Sequence, residues 1–377
     1  MWRRGPRWQI AVSAVAVLAA GCASAAPITA LDTTPAGLTT ADSAAPPSTT
    51  SVSTSDITAP IRAPIVLGFA GDTTFTSGLE QRDPFGQVLA LTEAPDLMVV
   101  NLETVVADPG VGQPPVDKRF LFKSPPASLD LLVDAGIDVV ALANNHTLDF
   151  GPDALAQTLD EIDARPLQRT GAGLDEEAAY KPLIVDVGDW TVGLVSLSRV
   201  PCDWSASGEN TRPQVAWACP PLFDRAEAAA RSSLASADVT VVMIHGGEEG
   251  ELCPSPFMVE LEQAFADMGV DAVINGHPHV LQGVTRHGST WAAHSLGNFA
   301  FPPASGITGN SAIVQLHVSE DGVGLSIVPI RSDGGVLSLP SDAQRVDIIA
   351  QVDRVSQGVS VADDGTVTAD AANLGAC

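Results

Sequence analysis

Five short polar clusters, each placed directly after an apolar run, carry the residue types that bind divalent cations. Asp72 follows the run at 65–70, Glu103 the run at 97–100, and Asn145 and His146 the run at 139–143. His245 follows 239–244, and His277 and His279 follow 272–274. Two carboxylates, an amide oxygen and three imidazoles form a coherent nitrogen and oxygen donor set. Read as unrelated strand caps, they would have no reason to match in this way. His277 and His279 sit at i and i+2, so on an extended segment both imidazoles point to one side. Both can then reach a metal pair about 3.5–4 Å apart, with Gly276 and Pro278 shaping their loop. His146, beside the ligand Asn145, is left to act as a general acid. Asp149, three residues on, can orient that imidazole. His287, His294 and His317 read as ordinary core or surface groups.

Apolar runs of this length, bounded by glycine and polar residues, read as buried strands. Ligands in an α/β sheet gather outside the carboxyl ends of such strands. Five strand ends of this kind would therefore aim their chemistry at one crevice. The segments between them read as helices at 128–136, 152–164, 222–235 and 255–268. Ala154, Leu155, Thr158, Leu159 and Ile162 share one helical face, with proline at its start. Leu183–Val187 and 191–197 form a hairpin around Gly188 and Asp189. Further strands are predicted at 291–301, 312–318 and 324–330, and one late helix within 341–355. Helices alternating with strands early and hairpins late predict two packed sheets with helices outside. One domain covers 63–355, and 356–377 reads as a loosely ordered tail unless Cys377 is bridged.

The N-terminus reads as an export signal rather than part of the fold. Arg3, Arg4 and Arg7 precede an apolar stretch at 10–20, too short for a comfortable membrane span. Leu18-Ala19-Ala20-Gly21-Cys22 is similar to a bacterial lipoprotein signal, in which Cys22 is lipidated and becomes the first mature residue. Ordinary cleavage near Ala23-Ser24-Ala25, giving a secreted protein, is the alternative. Residues 23–62 are mostly Ala, Thr, Ser and Pro and cannot bury enough surface to offset their ordering entropy. They read as a flexible tether. An exported chain sits in an oxidising compartment, where Cys202, Cys219, Cys253 and Cys377 form an even set. Three pairings are open. Cys202 with Cys219 is favoured, because the two flank one polar loop containing Trp204, Gly208 and Pro213. That bridge contributes roughly 3 kcal/mol on chain-entropy grounds. Cys253 with Cys377 would then tie the C-terminus to the body. With 19 basic against 45 acidic residues, phosphate neutralisation of a nucleic acid is excluded as the main business of the domain.

The specific stretches are Gly71-Asp72, Asn101-Leu102-Glu103, Leu142-Ala143-Asn144-Asn145-His146 with Asp149 and Gly151, and Gly171-Ala172-Gly173. They continue with His245-Gly246 and Glu248, Asn275-Gly276-His277-Pro278-His279-Val280 with Gln282, and Ser295-Leu296-Gly297-Asn298-Phe299. In this order the chain resembles the CapA family, named for poly-γ-glutamate capsule biosynthesis. That family is in turn similar to the calcineurin-like metallophosphoesterases. The resemblance implies a four-layer α/β/β/α sandwich with one or two divalent ions (Mn, Fe or Zn). It puts Asp72 at the first ligand carboxylate, Glu103 at the bridging one, Asn145 at the amide ligand, and His245, His277 and His279 at the imidazoles. His146 stands at the proton donor. Two positions depart from the phosphoesterase pattern. Thr74 stands where a ligand histidine belongs, and the bridging aspartate is a glutamate. Arg119 and Lys123, a rare basic patch, and Asn298 are candidate substrate contacts. Glu248 and Gln282 are candidates for orienting the ligand imidazoles. Two functions compete, beside a third reading as a plain structural lipoprotein with a vestigial site. One is an envelope-tethered, metal-dependent hydrolase, phosphoesterase-like, serving capsule or poly-γ-glutamate biosynthesis. The other is a non-catalytic lipoprotein that binds, anchors or exports an anionic envelope polymer alongside synthase or export components.

Overall fold

Side chains alternate in direction along each strand, and that alternation sorts them between separate interiors. The computed structural model describes residues 62–114, 118–202 and 214–377. The expected export signal with Cys22, the expected tether up to residue 61 and the loop with Trp204, Gly208 and Pro213 lie outside these.

The elements that position the site run in chain order. First come β1 (Ile65–Thr73), β2 (Leu97–Leu102), α1 (Ser128–Asp134), β3 (Val139–Ala141), α2 (Gly151–Asp163) and β4 (Gln168–Thr170). Then come β5 (Leu183–Val187), β6 (Trp190–Ser198), α3 (Phe223–Leu234), β7 (Val239–His245), α4 (Pro256–Met268) and β8 (Ala272–Gly276). The last are β9 (Val284–His287), β10 (Thr290–Ala293), β11 (Asn310–Ser319), β12 (Gly322–Asp333), β13 (Val336–Ser338) and α5 (Asp342–Val355).

A seven-stranded sheet has the order β13, β12, β11, β1, β2, β3, β4, and a six-stranded sheet the order β9, β10, β8, β7, β6, β5. β1, β2 and β3 run parallel, as do β6, β7 and β8. The carboxyl ends that carry the polar clusters therefore lie on one side of each sheet. Leu67, Phe69, Leu97 and Val99 of the first sheet pack with Val239, Val241, Met243 and Ile274 of the second. The opposite face of the first sheet, with Met98, Val100 and Val140, packs on Leu129 and Leu132 of α1 and Leu155 and Leu159 of α2. Val242, Ile244 and Val273 pack on Ala226 and Ala230 of α3 and Leu261 and Phe265 of α4. The layers are thus α/β/β/α. α2 buries Ala154, Leu155, Thr158, Leu159 and Ile162, the face that the spacing predicts. Pro152 starts that helix, and Gly269 in the left-handed region (φ 94°) ends α4.

Three departures from the sequence reading have local causes. The strand predicted over 291–301 stops at Ala293. Gly297 turns the chain at φ 64°, and Leu296 and Asn298 instead bridge to Leu281 and Asp72. Residues 356–377 are not a loose tail. Val359–Val361 pairs with Val367–Ala369, and three of its valines enter the inter-sheet core. Each strand of that hairpin has only three residues, too short to show a period. Arg62, at the end of the predicted tether, lies over the Trp190 ring and pairs with Asp238 and Glu320. Cys202 bonds to Cys219 and Cys253 to Cys377, with Cα separations of 5.5 and 5.4 Å.

Candidate metal centre

A β-bulge begins the site. The register between β1 and β2 shifts between Ala70 and Asp72. The ladder resumes with Asp72 opposite Asn101, and Asp72 N donates to Gly297 O at 3.0 Å. A side chain at Gly71 cannot be accommodated without a backbone shift, because its Cβ would lie 1.9 Å from Gly297 O. Gly276 plays the matching part on the second sheet: its Cβ would lie 2.7 Å from Asp72 Oδ1. The loop can therefore press against Asp72, and His277 N donates to Asp72 Oδ2 at 3.1 Å. His277 and His279 hold φ values of 98° and 57°, strained for residues other than glycine. Strain of this kind persists where surrounding structure over-determines it, and it clusters at functional sites.

The structure brings Asp72, Glu103, Asn145, His245, His277 and His279 together. His245 Nε2 lies 2.9 Å from Asn145 Oδ1 and 3.4 Å from Glu103 Oε1. His279 Nδ1 lies 3.1 Å from Asp72 Oδ2. Donor atoms of Glu103, His245 and His277 lie within 4.8 Å of one another, and so do those of Asp72, Glu103 and His279. Glu103 is fully buried, yet among the described residues neither of its oxygens has a hydrogen-bond partner. His277 Nδ1 is likewise buried and unpartnered. Leaving a buried carboxylate bare costs several kcal/mol or more. These orphaned donors, in this spacing, fit a divalent cation.

Electrostatics point the same way. Burial would raise the Asp72 carboxyl, but the His279 hydrogen bond and the nearby His245 charge hold it well below the usual carboxylate range. Burial, together with the charges of His245 and His279, pushes His277 well below the ordinary histidine value, so it stands as a neutral donor. Burial also works against a charged His279. Glu103 and Asp72 outweigh it and push that group up to about 10.

His146 lies beside this cluster, buried, with Nε2 3.7 Å from Glu103 Oε1. Its Nδ1 is held 2.6 Å from Asp149 Oδ2. Phe122 stacks on its ring at 3.9 Å, and Phe301 packs edge-on to Phe122 and tilted against His279.

The supporting residues differ from those the sequence suggested. Lys118, not Lys123, is the cation at the site: its Nζ contacts Asp149 Oδ1 at 2.7 Å, Asn145 O at 2.8 Å and His146 Nδ1 at 3.1 Å. Lys123 instead donates to Val111 O and lies over the Phe150 ring. Arg119 is exposed, 4.9 Å from the Phe120 ring centre. Asn298, a candidate substrate contact, sits behind His279, with Oδ1 2.9 Å from its Nδ1 and Nδ2 donating to His279 O. Gln282 grips the main chain of Glu251 and Cys253 rather than a ligand imidazole. Glu248 contributes its carbonyl to a turn, and its neighbour Glu249 is the one near His277 and His279. Asn101 is the orienting residue missed by the sequence reading. Its Nδ2 bonds Asp72 Oδ1 at 2.8 Å and lies 3.1 Å from His245 Nδ1, while Asn144 donates to its oxygen. The signal was available, since both asparagines lie inside the specific motifs.

Comparison with known proteins adds the family. PGA biosynthesis protein CapA of Bacillus subtilis (strain 168) is 32% identical over 216 residues, 57% of this chain and 56% of that protein. Capsule biosynthesis protein CapA of Bacillus anthracis is 27% identical over 220 residues, 58% of this chain and 54% of that protein. A probable polyglutamine synthesis accessory protein of Mycobacterium tuberculosis is 33% identical over 212 residues, 53% and 54% of the two chains. The chain spans about half the length of these curated relatives. Among solved structures, a hypothetical protein from Thermus thermophilus covers 70% of this chain and 98% of its own, at 20% identity and a TM-score of 0.45. A novel phosphatase from Mycoplasma pneumoniae covers 74% and 96%, at 16% identity and a TM-score of 0.46. The family described as bacterial capsule synthesis protein PGA_cap matches residues 66–303, the stretch that holds every candidate ligand, and the chain belongs to that family.

Proposed function

We propose that the chain is an envelope-tethered, metal-dependent hydrolase of the metallophosphoesterase type, working in capsule or poly-γ-glutamate biosynthesis. What supports this most is the placement of His146, one nitrogen facing the orphaned Glu103 carboxylate and the other fixed by Asp149. Asp72, Glu103 and His279 would hold one divalent ion, and Glu103, Asn145, His245 and His277 a second, as Mn, Fe or Zn. Such an ion supplies Lewis-acid polarisation of a phosphoryl or carbonyl oxygen and a nucleophile usable at neutral pH. His146 Nε2 gives the proton to the leaving oxygen or nitrogen. Asp149 accepts from Nδ1–H and fixes the ring with Nε2 inward, so the form that gives the Nε2 proton is the doubly protonated imidazolium, and Phe122 stacks on its face. Asn101 and Asn298 keep His245 and His279 aimed.

The substrate on this reading is a phosphoester or amide of an envelope polymer, and the chain reaches it on the extracytoplasmic face through a lipid on Cys22. Replacing Cys22 by serine should release the protein from the membrane fraction and abolish labelling by a fatty-acid analogue. The activity test pairs elemental analysis with turnover on phosphoester and amide panels. Metal-loaded protein should turn over at least one panel member, and His146→Ala should lower kcat by about 10²–10⁴-fold with metal content unchanged. Loaded protein inert on both panels, with a cellular phenotype indifferent to His146→Ala, would sink the hydrolase reading.

One observation favours the non-catalytic alternative. Thr74 stands where the resemblance to the phosphoesterases implies a ligand imidazole, and among the described residues its buried hydroxyl has no partner. A lipoprotein that only binds and hands on an anionic polymer would use the exposed Arg119 and Phe120. Arg119→Ala would then weaken polymer binding while His146→Ala would not.

A further inference from the structure

The loop after β7 carries a carboxylate that the ligand set above leaves unused. The chain leaves His245 through Gly246, Gly247, Glu248, Glu249 and Gly250. Gly246 N donates to Gly276 O at 3.0 Å, and Gly250 N to Pro278 O at 2.9 Å. Both ends of the loop are therefore tied to the segment that carries His277 and His279. Gly247 and Gly250 make the turn with φ values of 114° and 80°, backbone that side chains other than glycine's rarely adopt. Held in this way, one Glu249 oxygen and one nitrogen each of His277 and His279 lie within 4.8 Å of one another. Donors about 2.0–2.2 Å from a common ion stand roughly 3–4.4 Å apart, so modest closure completes the shell. Glu249 is exposed, whereas Asp72, Glu103 and His277 are buried. It approaches the cluster from the solvent side.

We propose that Glu249 is a ligand of the metal centre, joining His277 and His279 and closing it from the solvent side. This rests on the reading of Asp72, Glu103 and their partners as a metal site. A third carboxylate also shifts the donor set toward harder cations such as Mn²⁺.

The test is titration of the metal-free intact chain with Mn²⁺, following free Mn²⁺ by electron paramagnetic resonance and heat by calorimetry. Glu249→Gln should weaken at least one Mn²⁺ equivalent by about tenfold or more, with an unchanged circular dichroism spectrum. Glu251→Gln removes a charge from the same stretch and should change affinity by less than about twofold, since exposed charges are screened. Equal affinity and stoichiometry in wild type and Glu249→Gln would overturn the assignment, as would equal losses in the two variants. Wild type that takes up no Mn²⁺, Fe²⁺ or Zn²⁺ would overturn the metal centre itself, and Glu249 with it.

Discussion

Lys118 donates to Asn145 O and Asp149 Oδ1 at the His146 end of the site, and its ammonium is what keeps Asp149 compensated in a buried position. Lys118→Met should therefore lower turnover by about 10–100-fold through misplacement of His146, with metal content intact. Loss of metal in that variant would mean that Lys118 supports the ligands instead. His279 gives a prediction with a definite sign. Its folded, metal-free value of about 10 lies above the ordinary 6.5 because Glu103 and Asp72 outweigh its burial. The folded form thus holds the proton more tightly than the unfolded form. The stability it contributes is fully present below pH about 6.5 and is lost as pH rises through about 10. A bound ion must displace that proton, so metal affinity should rise with pH and each binding event release a proton. Calorimetry in two buffers of different ionisation enthalpy counts it, and a count of zero would contradict the assignment of His279 as a ligand. At this scale the sequence is informative about residue type and poor about direction. Asn298 and Gln282 are visible as polar residues beside the site. Whether an amide faces a substrate or the back of an imidazole depends on a bond between distant segments, such as Asn298 to His279.

The strand ends of both sheets converge only because glycine stands at two contacts. Gly71→Ala would force the bulge away from Gly297 and should cost about 1–3 kcal/mol, as overpacking does. It should also displace Asp72 and weaken metal uptake. A wild-type melting temperature and metal content in that variant would show that the 1.9 Å approach is relieved elsewhere. The runs that become β1, β2, β3, β7 and β8 are legible because each is a buried strand with both faces apolar. α2 is legible from its five-residue buried face. The bulge at Asp72, the turn at Gly297 and the hairpin at 359–369 are not, since each is decided by partners far away in the chain. Strand order is also silent in the sequence: β11, from residues 310–319, pairs with β1.

Over the whole molecule, the strongest covalent constraint is the bond between Cys253 and Cys377, which are 124 residues apart. A loop of that length corresponds to about 5 kcal/mol on chain-entropy grounds. Cys377→Ser should accordingly lower the unfolding midpoint more than Cys202→Ser, whose bond spans 17 residues. The reverse order would show that local packing around Cys219 outweighs loop length. The acidic surplus of 45 against 19 repels polyanions at long range. Binding of an anionic polymer should therefore strengthen with added salt or divalent ions, and affinity that falls steadily with salt would argue for a basic contact surface.

The two sheets divide the donors by element: Asp72, Glu103 and Asn145 bring oxygen from one, and His245, His277 and His279 bring nitrogen from the other. Neither half has a full set, so an ion captured between them behaves as a rivet that only the docked pair can accept. A ligand confined to the native state stabilises it in proportion to the logarithm of its concentration over Kd. Scarcity of that ion would then shorten the folded protein's life, making its endurance a readout of mineral supply.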